Sequence, residues 1–99
     1  MVRDTARILE TLRTEADALR RFGVTRLAVF GSAARGQLRS DSDLDFLVDL
    51  RVKSFDAYMD VKELLEALFE RPVDLVLTSA LKPELRDDIL REAVDAPLG

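Results

Sequence analysis

The chain has 99 residues, 47% hydrophobic and 34% charged, which allows one domain of ordinary globular composition over residues 1–99. It has no cysteine and no histidine, which excludes disulfides, thiolate metal sites and the commonest general base. Acid–base or metal chemistry must rest on Asp and Glu, whose oxygens favour hard cations such as magnesium. The net charge of −4 argues against direct nucleic-acid binding. With no membrane-length apolar run or signal peptide, a cytoplasmic location is expected.

The first half of the chain predicts a helix, a strand and a tight turn. Apolar residues at helical spacing predict a helix over residues 4–22, which Gly23 ends. A β-branched, apolar run predicts a strand over residues 24–30. Ser32 is then expected to cap a short helix that Gly36 closes. Such a turn offers free N–H groups to an anion, although glycine and serine are also ordinary turn residues.

The next stretch is a polar loop at residues 37–42, followed by a strand over residues 43–49 that carries alternating carboxylates. One side of the strand is apolar and is expected to face the core: Leu44, Phe46 and Val48. Asp43 and Asp45 lie on the other side, roughly 6.5–7 Å apart, where they can converge on a shared cation. Two solvated acids on the outer face of a sheet would give the same pattern.

Ser54 is predicted to cap a helix over residues 54–70, which ends at Arg71-Pro72, and a third strand follows at residues 73–77. Asp74 is a lone acid within this apolar strand, and a buried carboxylate needs a partner. If the third strand pairs beside the second, Asp74 joins the other two carboxylates on one face. An edge position in solvent would also tolerate it.

The end of the chain predicts one more helix, capped by Thr78 and Ser79 with Pro83 in its first turn, and a frayed tail at residues 95–99. The order of elements indicates an α/β (α+β) fold, in which helices cover a small mixed sheet of three or more strands. A glycine–serine turn, a D-x-D strand and a third Asp are typical of a two-metal site for phosphoryl or nucleotidyl transfer.

These residues resemble the DNA polymerase β-type nucleotidyltransferase superfamily and, within it, the minimal nucleotidyltransferases (MNT). The resemblance rests on three motifs: Gly31-Ser32-x-x-Arg35-Gly36, Ser42-Asp43-Leu44-Asp45 and Val73-Asp74-Leu75-Val76. It implies the nucleotidyltransferase fold, ATP as substrate and two magnesium ions. It also implies a nucleotide-binding role for the first motif, in which Gly31 and Ser32 hold the triphosphate. Arg35 would orient the phosphates or support the loop.

For the acidic residues, the resemblance implies that Asp43 and Asp45 ligate both metal ions. Asp74 would bind the catalytic metal and help to activate the acceptor hydroxyl. A second register, Asp41-Ser42-Asp43, is open in the sequence. The register of Asp43 and Asp45 is preferred because the family pattern has an apolar residue between its two acids, and Leu44 supplies it.

MNT proteins are typically the antitoxin half of a toxin–antitoxin pair with a HEPN-type ribonuclease, and some adenylylate a tyrosine on that toxin. The resemblance therefore implies transfer of AMP from ATP to a hydroxyl of a HEPN-type partner protein. Two alternatives stay open. The chain could be a non-catalytic antitoxin-like protein that masks its partner, or it could transfer a nucleotide to a small molecule such as an aminoglycoside.

Overall fold

The computed structural model describes residues 2–39 and 41–98, with side chains from residue 5 onward. Within these residues, helices and strands alternate for most of the chain. In chain order they are α1 (Val2–Thr14), α2 (Ala16–Arg21), β1 (Val24–Phe30), α3 (Gly31–Ala34), β2 (Leu44–Leu50), α4 (Phe55–Phe69), β3 (Val73–Leu77), a 3₁₀ turn (Thr78–Ala80), α5 (Pro83–Glu92) and β4 (Val94–Asp95). None of the described helices is both long and apolar enough to cross a membrane.

The four strands form one mixed sheet in the order β3-β2-β1-β4. β1 is antiparallel to both β2 and β4, whereas β2 and β3 are parallel. The pairing of the second and third strands, which the sequence leaves open, is therefore present in the structure. In that parallel ladder Asp45 is the direct partner of Asp74, and across the antiparallel ladder it is the partner of Phe30. The sheet thus brings the acidic strand, the lone acid and the end of β1 together.

The two faces of the sheet differ as the alternation of β2 predicts. Leu44, Phe46 and Val48 are buried in the main core, which α1, α2 and α4 complete from one side. Asp43 and Asp45 alternate with these residues and therefore lie on the opposite face. Burial of the apolar face supplies the main favourable term for folding. Because a one-residue slip would turn that face away from the core, the core fixes the register of β2 and thereby the position of its carboxylates.

The first helix is interrupted, so the prediction of one continuous helix over residues 4–22 is wrong. Glu15 separates α1 from α2, and its N–H is shared between the carbonyls of Thr11 at 3.2 Å and Leu12 at 3.1 Å. The Thr11 hydroxyl donates to the carbonyl one turn earlier, and that of Thr14 donates to the Thr11 carbonyl at 2.8 Å. Such hydroxyl-to-carbonyl bonds bend helices. The expected stop at residue 23 is confirmed.

The tail expected to fray at residues 95–99 is instead ordered over its described part. β4 pairs with Ala28 and Val29 of β1, and the Ala96 N–H donates to the Leu27 carbonyl at 2.8 Å. The side chain of Ala96 is buried in the core. The tail supplies a strand partner along the free side of β1, which would otherwise expose unpaired backbone groups. It also fixes the position at which α5 ends.

The predicted helix caps are confirmed in one case and wrong in another. The Ser54 hydroxyl oxygen accepts the backbone N–H three residues along at 3.1 Å, as a serine N-cap does. Thr78 and Ser79 do not cap the last helix, because they form a separate 3₁₀ turn. Lys82 precedes α5 without a capping side-chain bond, and Pro83 occupies the first turn as predicted.

Candidate active site

Three carboxylates lie on the sheet face that points away from the main core. Asp45 is the second residue of β2, and Asp43 immediately precedes that strand. Asp74 is the second residue of β3 and is paired in register with Asp45. Neighbouring strands are about 4.8 Å apart, so these two acids are direct cross-strand neighbours. Asp45 is half-buried, while Asp43 and Asp74 are exposed.

The environment of Asp45 disfavours its negative charge. Burial raises the pKa of its carboxyl, and the negative charges of Asp74, Asp43 and Glu92 raise it further. The guanidinium of Arg35 opposes this by lowering the same pKa. A carboxylate crowded by like charges favours a cation or a proton nearby. The negative charges around Asp45 therefore favour a proton or a cation beside this carboxyl.

The carboxylate set suits magnesium in its chemistry. Magnesium takes oxygen ligands and is commonly held by one or two carboxylates together with substrate phosphates. Over residues 2–39 and 41–98, however, no three acidic side chains are already gathered around a common point. An ion shared by Asp43, Asp45 and Asp74 would thus require their side chains to turn toward it. The metal-ligating roles remain predictions.

The glycine turn lies directly against the acidic strand. α3 begins at Gly31, whose φ of +70° is in the left-handed region. A Cβ atom added at Gly31 would overlap Oδ2 of Asp45 and lie 3.2 Å from its Cγ. Glycine is therefore favoured both by the backbone conformation and by the close approach of the carboxylate. The predicted cap at Ser32 is wrong, because Phe30 precedes α3 and Ser32 is the second residue inside it.

A fourth acidic residue, which the sequence does not single out, completes the described site. Glu92, the last residue of α5, accepts a hydrogen bond from the Gly31 N–H through Oε1 at 3.1 Å. Its Oε2 accepts a second from Nη1 of Arg35 at 2.6 Å. Two groups predicted to bind the triphosphate, Gly31 and Arg35, are thus joined by one carboxylate. No periodicity or motif marks Glu92, since its place depends on the return of β4 along β1.

Arg71 is the second residue that sequence reasoning misses. Its Nη1 donates to the carbonyls of Arg39 and Ser42, both at 3.0 Å. These carbonyls belong to the loop that leads into Asp43. Arg71 therefore holds the loop against the start of β3 and positions the first carboxylate. From the sequence, Arg71 marks only the end of the preceding helix, because its partners are some 30 residues away in the chain.

A cleft of about 450 Å³ is lined by residues of α1, the end of α4 and the loop before β2. Its walls include Ile8 and Leu44, which belong to the main core. The cleft therefore opens on the side of the sheet opposite to Asp45. The carboxylates and the glycine turn lie on the other side of the sheet.

Replacement of Asp45 by Asn is expected to raise the melting temperature at pH 7. Because the folded state raises the pKa of this carboxyl, the folded protein binds its proton more tightly than the unfolded chain does. The wild-type protein therefore loses stability as pH rises from near the ordinary value of 3.8 through the raised pKa. Asn removes that loss.

Thermal unfolding at a series of pH values, without divalent ions, measures this effect. The advantage of Asp45→Asn should shrink as pH falls below the ordinary value of 3.8 toward about 3, where the carboxyl is largely protonated in both states. An equal advantage at about pH 3 and pH 7 would instead assign the gain to packing or hydrogen bonding of the amide.

The chain is similar in sequence and in fold to known nucleotidyltransferases. The family model described as a nucleotidyltransferase domain matches residues 9–96. Protein adenylyltransferase MntA of Thermococcus cleftensis is 45% identical over 75 residues, which are 75% of this chain and 76% of that protein. The solved structure of a minimal nucleotidyltransferase is 43% identical, with a TM-score of 0.73 and coverage of 87% of this chain and 93% of its own.

A more distant match is a toxin–antitoxin crystal structure with AMP-PNP. It is 19% identical, has a TM-score of 0.68, and covers 86% of this chain and 72% of that chain. At this identity the match shows a common fold. Together, the solved structures confirm the predicted mixed sheet covered by helices as a nucleotidyltransferase fold.

Proposed function

Because the chain belongs to the nucleotidyltransferase domain family, we propose that it moves AMP from ATP to a hydroxyl group of a partner protein. The observation that carries this proposal is the alignment of Asp45 with Asp74 across β2 and β3, with the Gly31 turn in contact with Asp45. One surface thereby combines an anion-binding turn with a carboxylate cluster. Nucleotidyl transfer needs both: the turn binds the triphosphate, and the carboxylates bind metal ions and accept the proton of the acceptor hydroxyl.

The reaction consists of attack by the acceptor oxygen on the α-phosphorus of ATP. A new oxygen–phosphorus bond forms, the bond between the α-phosphorus and the bridging oxygen breaks, and pyrophosphate leaves. Asp74 is exposed on the site face and accepts the proton of the acceptor hydroxyl. Magnesium ions, held by Asp43, Asp45 and Asp74, would supply charge neutralisation for the phosphates.

The phosphates are bound by the turn after β1. The Gly31 N–H and the Arg35 guanidinium already hold a carboxylate, so both are aimed at an anion. Ser32 adjoins Gly31 in the same turn and adds a hydroxyl donor. Hydrogen bonds from charged or backbone donors to an anion are the stronger ones in proteins. These three residues therefore fix the triphosphate beside Asp45.

A protein acceptor is supported by the relatives. The Thermococcus cleftensis relative is described as a protein adenylyltransferase, and the structure with AMP-PNP is described as a toxin–antitoxin. We place the chain as the antitoxin of such a pair, with a HEPN-type toxin as acceptor. Val52, before α4, and Phe55, its first residue, are 64% and 76% exposed and would be covered by a partner bound at this end of the helix.

The proposal is tested by incubating the purified protein with ATP, magnesium and the product of its neighbouring gene. Intact-mass spectrometry of that partner should show the addition of AMP, on a hydroxyl-bearing side chain identified by fragmentation. The addition should depend on ATP and on magnesium. A partner that binds yet never gains AMP would contradict the transfer and leave masking as the function.

A further inference from the structure

Glu92 holds the place in the site where a negatively charged phosphate would be expected. Its two carboxylate oxygens accept hydrogen bonds from the Gly31 N–H at 3.1 Å and from Nη1 of Arg35 at 2.6 Å. Both donors belong to the turn proposed to bind the triphosphate. A carboxylate and a phosphate present similar anionic oxygens to such donors. The single Gly31 N–H therefore cannot serve both groups at once, and Arg35 would have to divide its N–H donors between them.

The charge of Glu92 makes this competition stronger. The carboxylate acts on Asp45 and adds to the negative charge already supplied by Asp43 and Asp74. An incoming triphosphate would meet this acidic group as well as lose the two donors. Only Arg35 among the named neighbours of Asp45 carries a positive charge, and Glu92 already pairs with it.

The architecture lets Glu92 leave without unfolding the site. α5 ends at Glu92, and β4 begins two residues later, paired with β1. The backbone on this side is thereby anchored to the sheet. The Glu92 side chain is 31% exposed, so a rotation about its own bonds can carry the carboxylate into solvent. Arg35 is about half exposed and can follow an incoming phosphate.

We propose that Glu92 is a resident competitor for the phosphate-binding donors, so that a nucleoside triphosphate must displace its carboxylate to bind. The proposal rests on the function proposed above and adds a residue that sets nucleotide affinity. In the nucleotide-free protein the Glu92 carboxylate accepts hydrogen bonds from the Gly31 N–H and from Arg35. In the nucleotide-bound protein these donors hold the triphosphate and Glu92 turns to solvent.

Binding of AMP-PNP with magnesium, measured by calorimetry, tests this competition. Glu92→Ala is expected to bind about tenfold more tightly than the wild type, equivalent to about 1.4 kcal/mol. Glu92→Gln, which keeps the shape but loses the charge, should also bind more tightly. Glu84→Ala is the matched control, because Glu84 is an exposed glutamate in the first turn of the same helix. It should bind as the wild type does.

A second readout is the amide NMR resonance of Gly31. In amide NMR spectra of the nucleotide-free proteins, the Gly31 resonance should shift in Glu92→Ala and stay in place in Glu84→Ala. Adding AMP-PNP to the wild type should move the same resonance.

The sign of the affinity change decides between competition and support. If Glu92 instead held Arg35 ready for the nucleotide, Glu92→Ala would bind AMP-PNP more weakly, and the proposal would be overturned. Unchanged affinity would overturn it too. If the wild type binds AMP-PNP and Glu92→Ala binds it no more tightly, only the competition by Glu92 is rejected. If no variant binds AMP-PNP, the proposed nucleotidyltransferase function is rejected as well.

Discussion

Asp43→Asn is expected to lower the rate of AMP transfer at least about a hundredfold, the scale of losing one transition-state stabiliser. Asp43 immediately precedes β2 and acts electrostatically on Asp45. The amide keeps the shape of the side chain but loses the charge that would attract a metal ion. The measurement is the initial rate of AMP incorporation into the partner at saturating ATP and magnesium. Folding is checked by thermal unfolding of the same sample.

Asp49→Asn is the matched control for this substitution. Asp49 lies on β2 and points to the same face as Asp43 and Asp45, but it is four residues beyond Asp45, or roughly 13 Å along the strand. Its transfer rate should stay close to that of the wild type. If Asp43→Asn and the wild type transferred AMP at equal rates, Asp43 would have no role in the transfer step. If an Asp43→Asn/Asp45→Asn protein still neutralised its partner, masking would be the function.

Gly31→Ala is expected to abolish most transfer and to weaken nucleotide binding. The added methyl group would overlap Oδ2 of Asp45, so this carboxylate must turn away or the glycine turn must move. Either shift changes the position of the Asp45 carboxylate relative to the phosphate-binding turn. The positive φ adds about 1–2 kcal/mol of backbone strain. Transfer rate, AMP-PNP affinity and melting temperature should be measured on the same preparation.

Gly23→Ala separates the two causes. Gly23 also has a positive φ, +91°, but a Cβ atom added there meets nothing within 4 Å. This variant should lose a similar amount of stability to strain while keeping its transfer rate. If both alanine variants lost transfer equally, the effect would come from destabilisation rather than from the contact between Gly31 and Asp45.

The strands and the acidic face could be predicted because each depends on local pattern. Alternation in residues 43–49 separates a core face from an acidic face, and the structure confirms that separation. The run at residues 73–77 is a strand with the predicted bounds. Whether Asp74 faces Asp45 depends on strand order, which the pattern leaves open and the parallel ladder settles.

What the sequence misses depends on contacts between distant parts of the chain. β4 has only two residues, too few for a period-two pattern, and it exists because it pairs with β1. Glu92 reaches Gly31 across 61 positions, only once that pairing fixes the end of α5. Arg71 bonds to a loop 29 to 32 residues earlier. Local propensity cannot report such pairs.

We propose that this chain moves the α-phosphate of ATP, as AMP, to a protein hydroxyl. To test this transfer, the protein and its partner are given ATP labelled in either the α- or the γ-phosphate, with magnesium present. Transfer of AMP predicts that α-label enters the partner, that γ-label does not, and that pyrophosphate forms in equal amount. Entry of γ-label, or of neither label, into a partner that binds the protein would contradict it.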